Sequence, residues 1–377
     1  MLQTHIRSLS PRLLAAALLA LAVAAPALAE ERTTEKSFAA SSLDAVELEN
    51  LAGRVELVAA SGSELRIEAT VHGEASAGIG ASEMLGTLGL DFDQSGRRLV
   101  VRALYPVDRF RRYHYPGSRS GADDSWLASW LGGSSSTVKY QKRDVKVVSS
   151  SASDAATLWA DFRIEVPAGI DVKVKNSVGQ ITSDGVSGNQ SLDTASGDIE
   201  VGSSAGSLLA DTGSGDVTVT DHEGDVSVDT GSGDVSLVEV RAARLAVDTG
   251  SGDVSLVDCS GALDADTGSG TIRGRGLVLG DRLRADTGSG DIRLAGDFGA
   301  VRDLVIDTGS GDVVLDVSDA PSVRLRVSTG SGDIEVDLPD MHVRQWKGDF
   351  VADVGAAEGS AVVDTGSGDV RIVTSGG

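Results

Sequence analysis

Two aspartates recur along this chain at a spacing that invites a chemical reading. The heptapeptide Asp-Thr-Gly-Ser-Gly-Asp-Val stands whole at residues 211–217 and returns until 364–370. Copies begin at Asp193, Asp211, Asp229, Asp248, Asp266, Asp286, Asp307, Ser328 and Asp364, in steps of 18, 18, 19, 18, 20, 21, 21 and 36 residues. Three chemistries use carboxylates in this way. Asp-Thr-Gly-Ser is the active-site tetrad of aspartic proteases, but there two aspartates face each other and share a proton. Copies repeated at a fixed period stack in parallel instead, which argues against a protease. Paired carboxylates on a β-helix could cleave a polysaccharide, yet near-identical corners give no pair a distinct environment to split its acid and base roles. The third chemistry is calcium binding between repeats, for which Asp211, Asp216, Asp229, Asp234, Asp248 and Asp253 are the candidate ligands. The alternative for the same residues is a solvated turn, in which the carboxylates accept backbone N–H bonds from their own Gly-Ser-Gly corner.

The elements around the aspartates are strands. In residues 245–257, Leu245 and Val247 alternate with small or polar residues before the corner, and Val254 and Leu256 do so after it. Alternation of period two marks a half-buried strand, and the glycines of Gly250-Ser251-Gly252 allow a tight corner. A strand, corner, strand unit repeated about every 20 residues predicts a solenoid, each unit burying its apolar side on the next. The expectation is an all-β parallel β-solenoid or β-helix of about ten rungs. Inward threonines from Thr194 to Thr365 should form a hydroxyl ladder between rungs. The outward aspartates make acidic columns, and two charges about 4.8 Å apart repel by roughly 1 kcal/mol in water.

The whole chain carries a formal net charge of -23, a field that suits cations and basic proteins or peptides and disfavours nucleic acid. Cys259 is the only cysteine, so no intramolecular disulfide forms. Residues 1–29 read as a secretory signal peptide, with Arg7 and Arg12 before the apolar run 13–25 and Ala27-Leu28-Ala29 at the cleavage site. No later stretch is long and apolar enough to span a membrane. Export to the periplasm or the cell surface follows.

Residues 30–104 read as an N-terminal β cap, in which Asn50-Leu51-Ala52-Gly53-Arg54-Val55 imitates the corner and 82–85 form a short helical turn. Residues 105–160 break the pattern as an aromatic, basic and Gly/Ser-rich insertion loop. There Tyr113, Tyr115, Trp126, Trp130, Arg111 and Arg112 are candidates for stacking on a sugar or gripping an anionic partner. Residues 161–377 are the regular repeats. The 36-residue step reads as two rungs, with 346–350 as the missing corner, and the strand Val370-Arg371-Ile372-Val373 is expected at an open edge that invites self-association.

The run Ile164-Glu165-Val166-Pro167-Ala168-Gly169, followed by Asn176-Ser177-Val178-Gly179-Gln180-Ile181 and the iterated Ser-Gly-Asp-[Val/Ile] corners, resembles a bacterial family of candidate adhesins whose domain function is unknown. The resemblance spans roughly residues 37–377, apart from the aromatic insertion. It implies an extracytoplasmic β-solenoid, adhesin-like or linked to envelope stress, with no catalytic residues to carry over and a cell-envelope protein or glycan as partner. The function expected is therefore a non-catalytic binding or structural module needing no cofactor. A calcium-binding repeat protein of β-roll type and a carbohydrate-active β-helix enzyme are the alternatives.

Overall fold

A computed structural model describes residues 29–117, 135–150, 153–345 and 349–374. Most of the expected signal peptide, together with Trp126, Trp130 and the 346–348 part of the expected corner, lies outside them. The described residues are almost all β, with thirty strands, one α-helix at Ala81–Thr87 and one 3-10 turn. The helix falls where the sequence places a helical turn.

One repeat shows how sequence becomes rung. In Leu208–Thr212 and Val217–Glu223 the residues Leu208, Ala210, Thr212, Val217 and Val219 are buried, while Asp211, Asp216 and Thr220 face out. Towards the end of the second strand the chain turns through Asp221 (φ 52°), and Ser203 (45°), Glu239 (56°) and Asp258 (53°) have the same left-handed φ in neighbouring rungs. The core is a thin aliphatic stack, as an aromatic share of 4 % implies.

Successive corners pair in parallel and in register. Asp193 lies beside Asp211, Asp211 beside Asp229, then Asp248, Asp266, Asp286 and Asp307 in turn. The corner glycines are required by this closeness, each in its own way. The second glycine has a left-handed φ in most copies, +156° at Gly233, and a Cβ there would lie 2.0 Å from the Gly215 carbonyl oxygen. At the first glycine it is the approach alone that matters, since a Cβ on Gly231 would meet Gly213 O at 2.5 Å. The buried threonines do form a ladder, but through the backbone. Thr249 Oγ1 donates to Gly233 O at 3.0 Å and Thr267 Oγ1 to Gly252 O at 3.0 Å, in place of hydroxyl bonding to hydroxyl.

The N-terminal part is woven into this stack. Ala45–Ala52 pairs in parallel with Asp171–Val178, and Val55–Ala59 with Ile181–Asp184, so Asn50 and Asn176 sit in the column that Thr194 continues. Antiparallel strands cover this end, with Ala29–Ala39 on Glu64–Glu74, Glu64–Glu74 on Ala156–Val166, and Gly89–Ser95 on Arg98–Leu104. In the 105–160 region, Arg112–His114, Ser135–Tyr140 and Arg143–Val148 form a small sheet joined to Ala156–Val166. Where described, this region is packed structure, because Tyr105, Tyr113 and Tyr140 meet edge to face beneath the stack.

At the far end the order of rungs departs from the order of the chain. The rung at 303–319 pairs with 359–374, and 359–374 pairs with 323–337. The last rung is thus inserted between two earlier ones. Val370–Thr374 lies between Val313–Asp319 and Ile334–Asp337, so the expected open edge at Val370 is filled on both sides and cannot carry self-association as an edge. The expected extra corner is corrected as well: Met341–Gln345 and Phe350–Val354 pair antiparallel, and the latter covers Val323–Thr329. Alternation in Phe350–Val354 suits an antiparallel cap as well as a rung, which is why the sequence pattern did not separate them.

Candidate functional site

The two aspartate columns share one edge but differ in chemistry. The second aspartate of most corners accepts an N–H from the next rung. Asp234 N–H donates to Asp216 Oδ1 at 2.8 Å, Asp253 N–H to Asp234 Oδ1 at 2.8 Å, and Thr271 N–H to Asp253 Oδ1 at 2.7 Å. The bonds expected within one corner therefore run between rungs. The backbone N–H of Thr271, aided by the Arg273 guanidinium, holds the Asp253 carboxyl below its usual range. Asp291 is held low in the same way by the Asp312 N–H and Arg293.

Among the described residues the first column has no such amide partner, and three of its carboxyls are lifted instead. Partial burial, then the neighbouring carboxylates Asp193 and Asp229, raise Asp211, and the same causes raise Asp266 and Asp307. A group whose folded pKa is raised binds its proton more tightly in the folded chain, so its ionisation weakens the fold as pH rises above the ordinary 3.8. The depressed Asp253 and Asp291 act in the opposite sense, giving stability above 3.8 that is lost as pH falls below it. Asp211→Asn is accordingly expected to raise the melting temperature at neutral pH by about 2 °C, a gain that added salt reduces. Thermal scans should show the difference from the native chain shrinking as pH approaches 3.8; a constant difference would refute repulsion in the column.

Of the six aspartates proposed for calcium, Asp216, Asp234 and Asp253 each already hold an amide of the next rung. Asp211, Asp229 and Asp248 stand exposed in the first column. Among the described residues, no group of three His, Cys, Asp or Glu side chains is gathered as a metal cluster.

Both aromatic candidates among the described residues are buried. Tyr113 is fully buried and Tyr115 is 8 % exposed, so neither presents a ring for stacking on a ligand, and burial pushes the Tyr115 hydroxyl up to about 12. The physical reason is that both rings close the end of the aliphatic stack. Arg112 is paired with Asp154 at 2.7 Å, and Arg111 is exposed with its carbonyl bonded to the Lys146 N–H. The fold gathers instead a group that sequence reading passed over. His72 lies between Glu31 (3.1 Å) and Asp161 (2.9 Å), with the Trp159 ring stacked on it at 4.8 Å. Burial works against its charge, but Asp161 and Glu31 outweigh that and raise its pKa. Only the lone outward histidine of an alternating strand signals it, since its partners lie on two other strands.

The Toastrack DUF4097 family profile matches residues 134–299 and 299–376, well over half of the chain and all of its regular repeats. The chain belongs to this family. The Toastrack match thus covers the stacked corners together with the final strands, and agrees with the resemblance carried by the Ile164–Gly169 run. No curated protein matches. Among solved structures, a candidate adhesin from Parabacteroides distasonis aligns at 11 % identity, over 90 % of this chain and 97 % of its own, with a TM-score of 0.36. A candidate lipid-binding protein from the same organism aligns at 10 % identity over 90 % and 96 %, with a TM-score of 0.35. A candidate cell adhesion protein from Clostridium sporogenes aligns at 8 % identity over 92 % and 100 %, with a TM-score of 0.21. Among the described residues, no helix is long and apolar enough to cross a membrane.

Proposed function

We propose that this Toastrack chain is an exported, non-catalytic adhesin-like module of about ten rungs, acting in the periplasm or at the cell surface, that binds cationic partners through its first aspartate column. The observation carrying this reading is the register: Asp211, Asp229, Asp248 and Asp266 repeat one exposed carboxylate from rung to rung on a rigid ladder. Raised pKa values at Asp211 and Asp266 support it, since a column that repels itself gains most from a bound cation. Individually weak contacts then add through effective concentration. Near-identical corners leave no carboxylate pair set apart for catalysis, which favours binding over hydrolysis.

Oligolysine peptides of increasing length test the reading by calorimetry. Doubling the length is expected to tighten binding by about tenfold or more, and added salt to weaken it. Changing Asp211, Asp229, Asp248 and Asp266 to Asn together should weaken the longest peptide by at least about tenfold without loss of fold. Binding that ignores peptide length, or survives that substitution, would sink the proposal.

A further inference from the structure

The inserted C-terminal rung is held by bonds that recur through most of the stack. On one side Gly366 N–H donates to Thr308 O, Thr365 Oγ1 to Gly311 O, and Asp369 N–H to Asp312 Oδ1. On the other side Gly330 N–H donates to Thr365 O, Thr329 Oγ1 to Gly368 O, and Asp333 N–H to Asp369 Oδ1. The two walls of the slot are therefore complementary to each other as well as to the insert. If residues 359–374 left, the walls could close by one rung in unchanged register. Leu325 would then meet Leu304, Val327 would meet Ile306, Thr329 would meet Thr308, and Val336 would meet Leu315. Arg324 would face Asp303, and Ser328 would replace one aspartate contact beside Asp307. The step from Asp307 to Ser328 equals the step from Asp286 to Asp307, so the connecting chain has the length that direct stacking uses elsewhere.

Emptying the slot is thus a local event, and the walls recognise one kind of segment. A Cβ on Gly366 would fall 2.4 Å from Gly309 O, and one on Gly368 would fall 2.1 Å from Gly311 O, so the insert must carry glycine at both places. Val370 and Ile372 fill the core between Val313 and Ile334, and between Leu315 and Val336. Residues 355–358, which lead into the insert, lie outside any strand and are mostly exposed. We propose that the slot between residues 303–319 and 323–337 is a strand-acceptor site, filled here by residues 359–374 of the same chain and open to the same segment of a second copy. Exchange of that segment links two copies through a complete rung, with every ladder bond reproduced in trans. Strand addition of this kind takes its affinity from main-chain bonds and its selectivity from side-chain pockets.

The test inserts a specific protease site between Ala356 and Ala357 of the full chain, cleaves after folding, and offers a fluorescent synthetic peptide of residues 357–377. Uptake is expected on warming to a temperature below the main unfolding transition, with the cut segment released in equal amount. A peptide carrying Gly366→Val and Gly368→Val should be taken up at least about tenfold less. In parallel, two differently tagged uncut copies, warmed together at high concentration and cooled, should co-purify as a mixed dimer. No uptake, equal uptake of the valine peptide, or copies that never mix would each overturn the proposal. Should the protease site prevent folding, the uncut mixing experiment decides it alone.

Discussion

Gly233→Ala is expected to destabilise the folded chain by about 3–5 kcal/mol, the sum of a strained left-handed residue and an overpacked contact. The new methyl would sit 2.0 Å from the Gly215 carbonyl oxygen at a backbone φ of +156°. Neither partner can move aside, because Gly215 makes the same approach to Gly197 at 2.2 Å and the column continues through Gly252. The strain therefore passes along the stack, and local separation of rungs around residue 233 is the expected response. Urea unfolding followed by circular dichroism measures the cost. Gly62→Ala, where nothing lies within 4 Å, is the control and should change little. Gly231→Ala should fall between the two, since its Cβ meets Gly213 O at 2.5 Å without a positive φ. Equal stability of all three variants would disprove the close stacking of corners.

Asn50→Leu is the second large effect. Asn50 is fully buried, and its amide donates to Ala160 O at 2.8 Å, to Asn176 Oδ1 at 3.0 Å and to Ala52 O at 3.1 Å, while its own Oδ1 accepts from the Tyr105 hydroxyl at 3.1 Å. Leucine is close in volume but leaves at least two buried acceptors unpaired, at about 1–3 kcal/mol each. A loss of about 3–5 kcal/mol is expected from those unpaired groups together with the steric mismatch. Asn176→Thr should be far milder. Its Nδ2 donates to Gly53 O at 2.7 Å, the bond that a threonine hydroxyl makes to the preceding corner in later rungs. If the leucine variant proves as stable as the threonine variant, Asn50 and Asn176 are not the first steps of the ladder.

How much could be read in advance depended on whether a residue's role repeats. Period-two alternation around Val247 and Val254 announced the strands, and the iterated corner announced stacking, because only glycine permits such approach and only a buried small hydroxyl recurs at every turn. Asn50 was visible as an imitation of the corner, but its partner Asn176 lies 126 residues away, and no local pattern pairs them. Tyr113 and Tyr115 looked like surface rings because an interruption in a repeat resembles a loop. In the fold their surroundings are the otherwise open end of an apolar stack, and rings large enough to close it are drawn inside. The His72, Asp161 and Glu31 group was equally hidden, being assembled by antiparallel pairing of three strands.

The sequence by itself determined an almost all-β chain of repeated glycine corners with aspartates outside and threonines inside. Those features follow from sterics and alternation, which act over a few residues. Tertiary structure decided which rung lies on which. The rung at 359–374 could stack on 323–337 alone or enter between it and 303–319, since all three present the same ladder. Local rules are blind to that choice, and it was settled by the antiparallel strand Phe350–Val354, which covers Val323–Thr329 and leaves the inner side of that rung for the last strands.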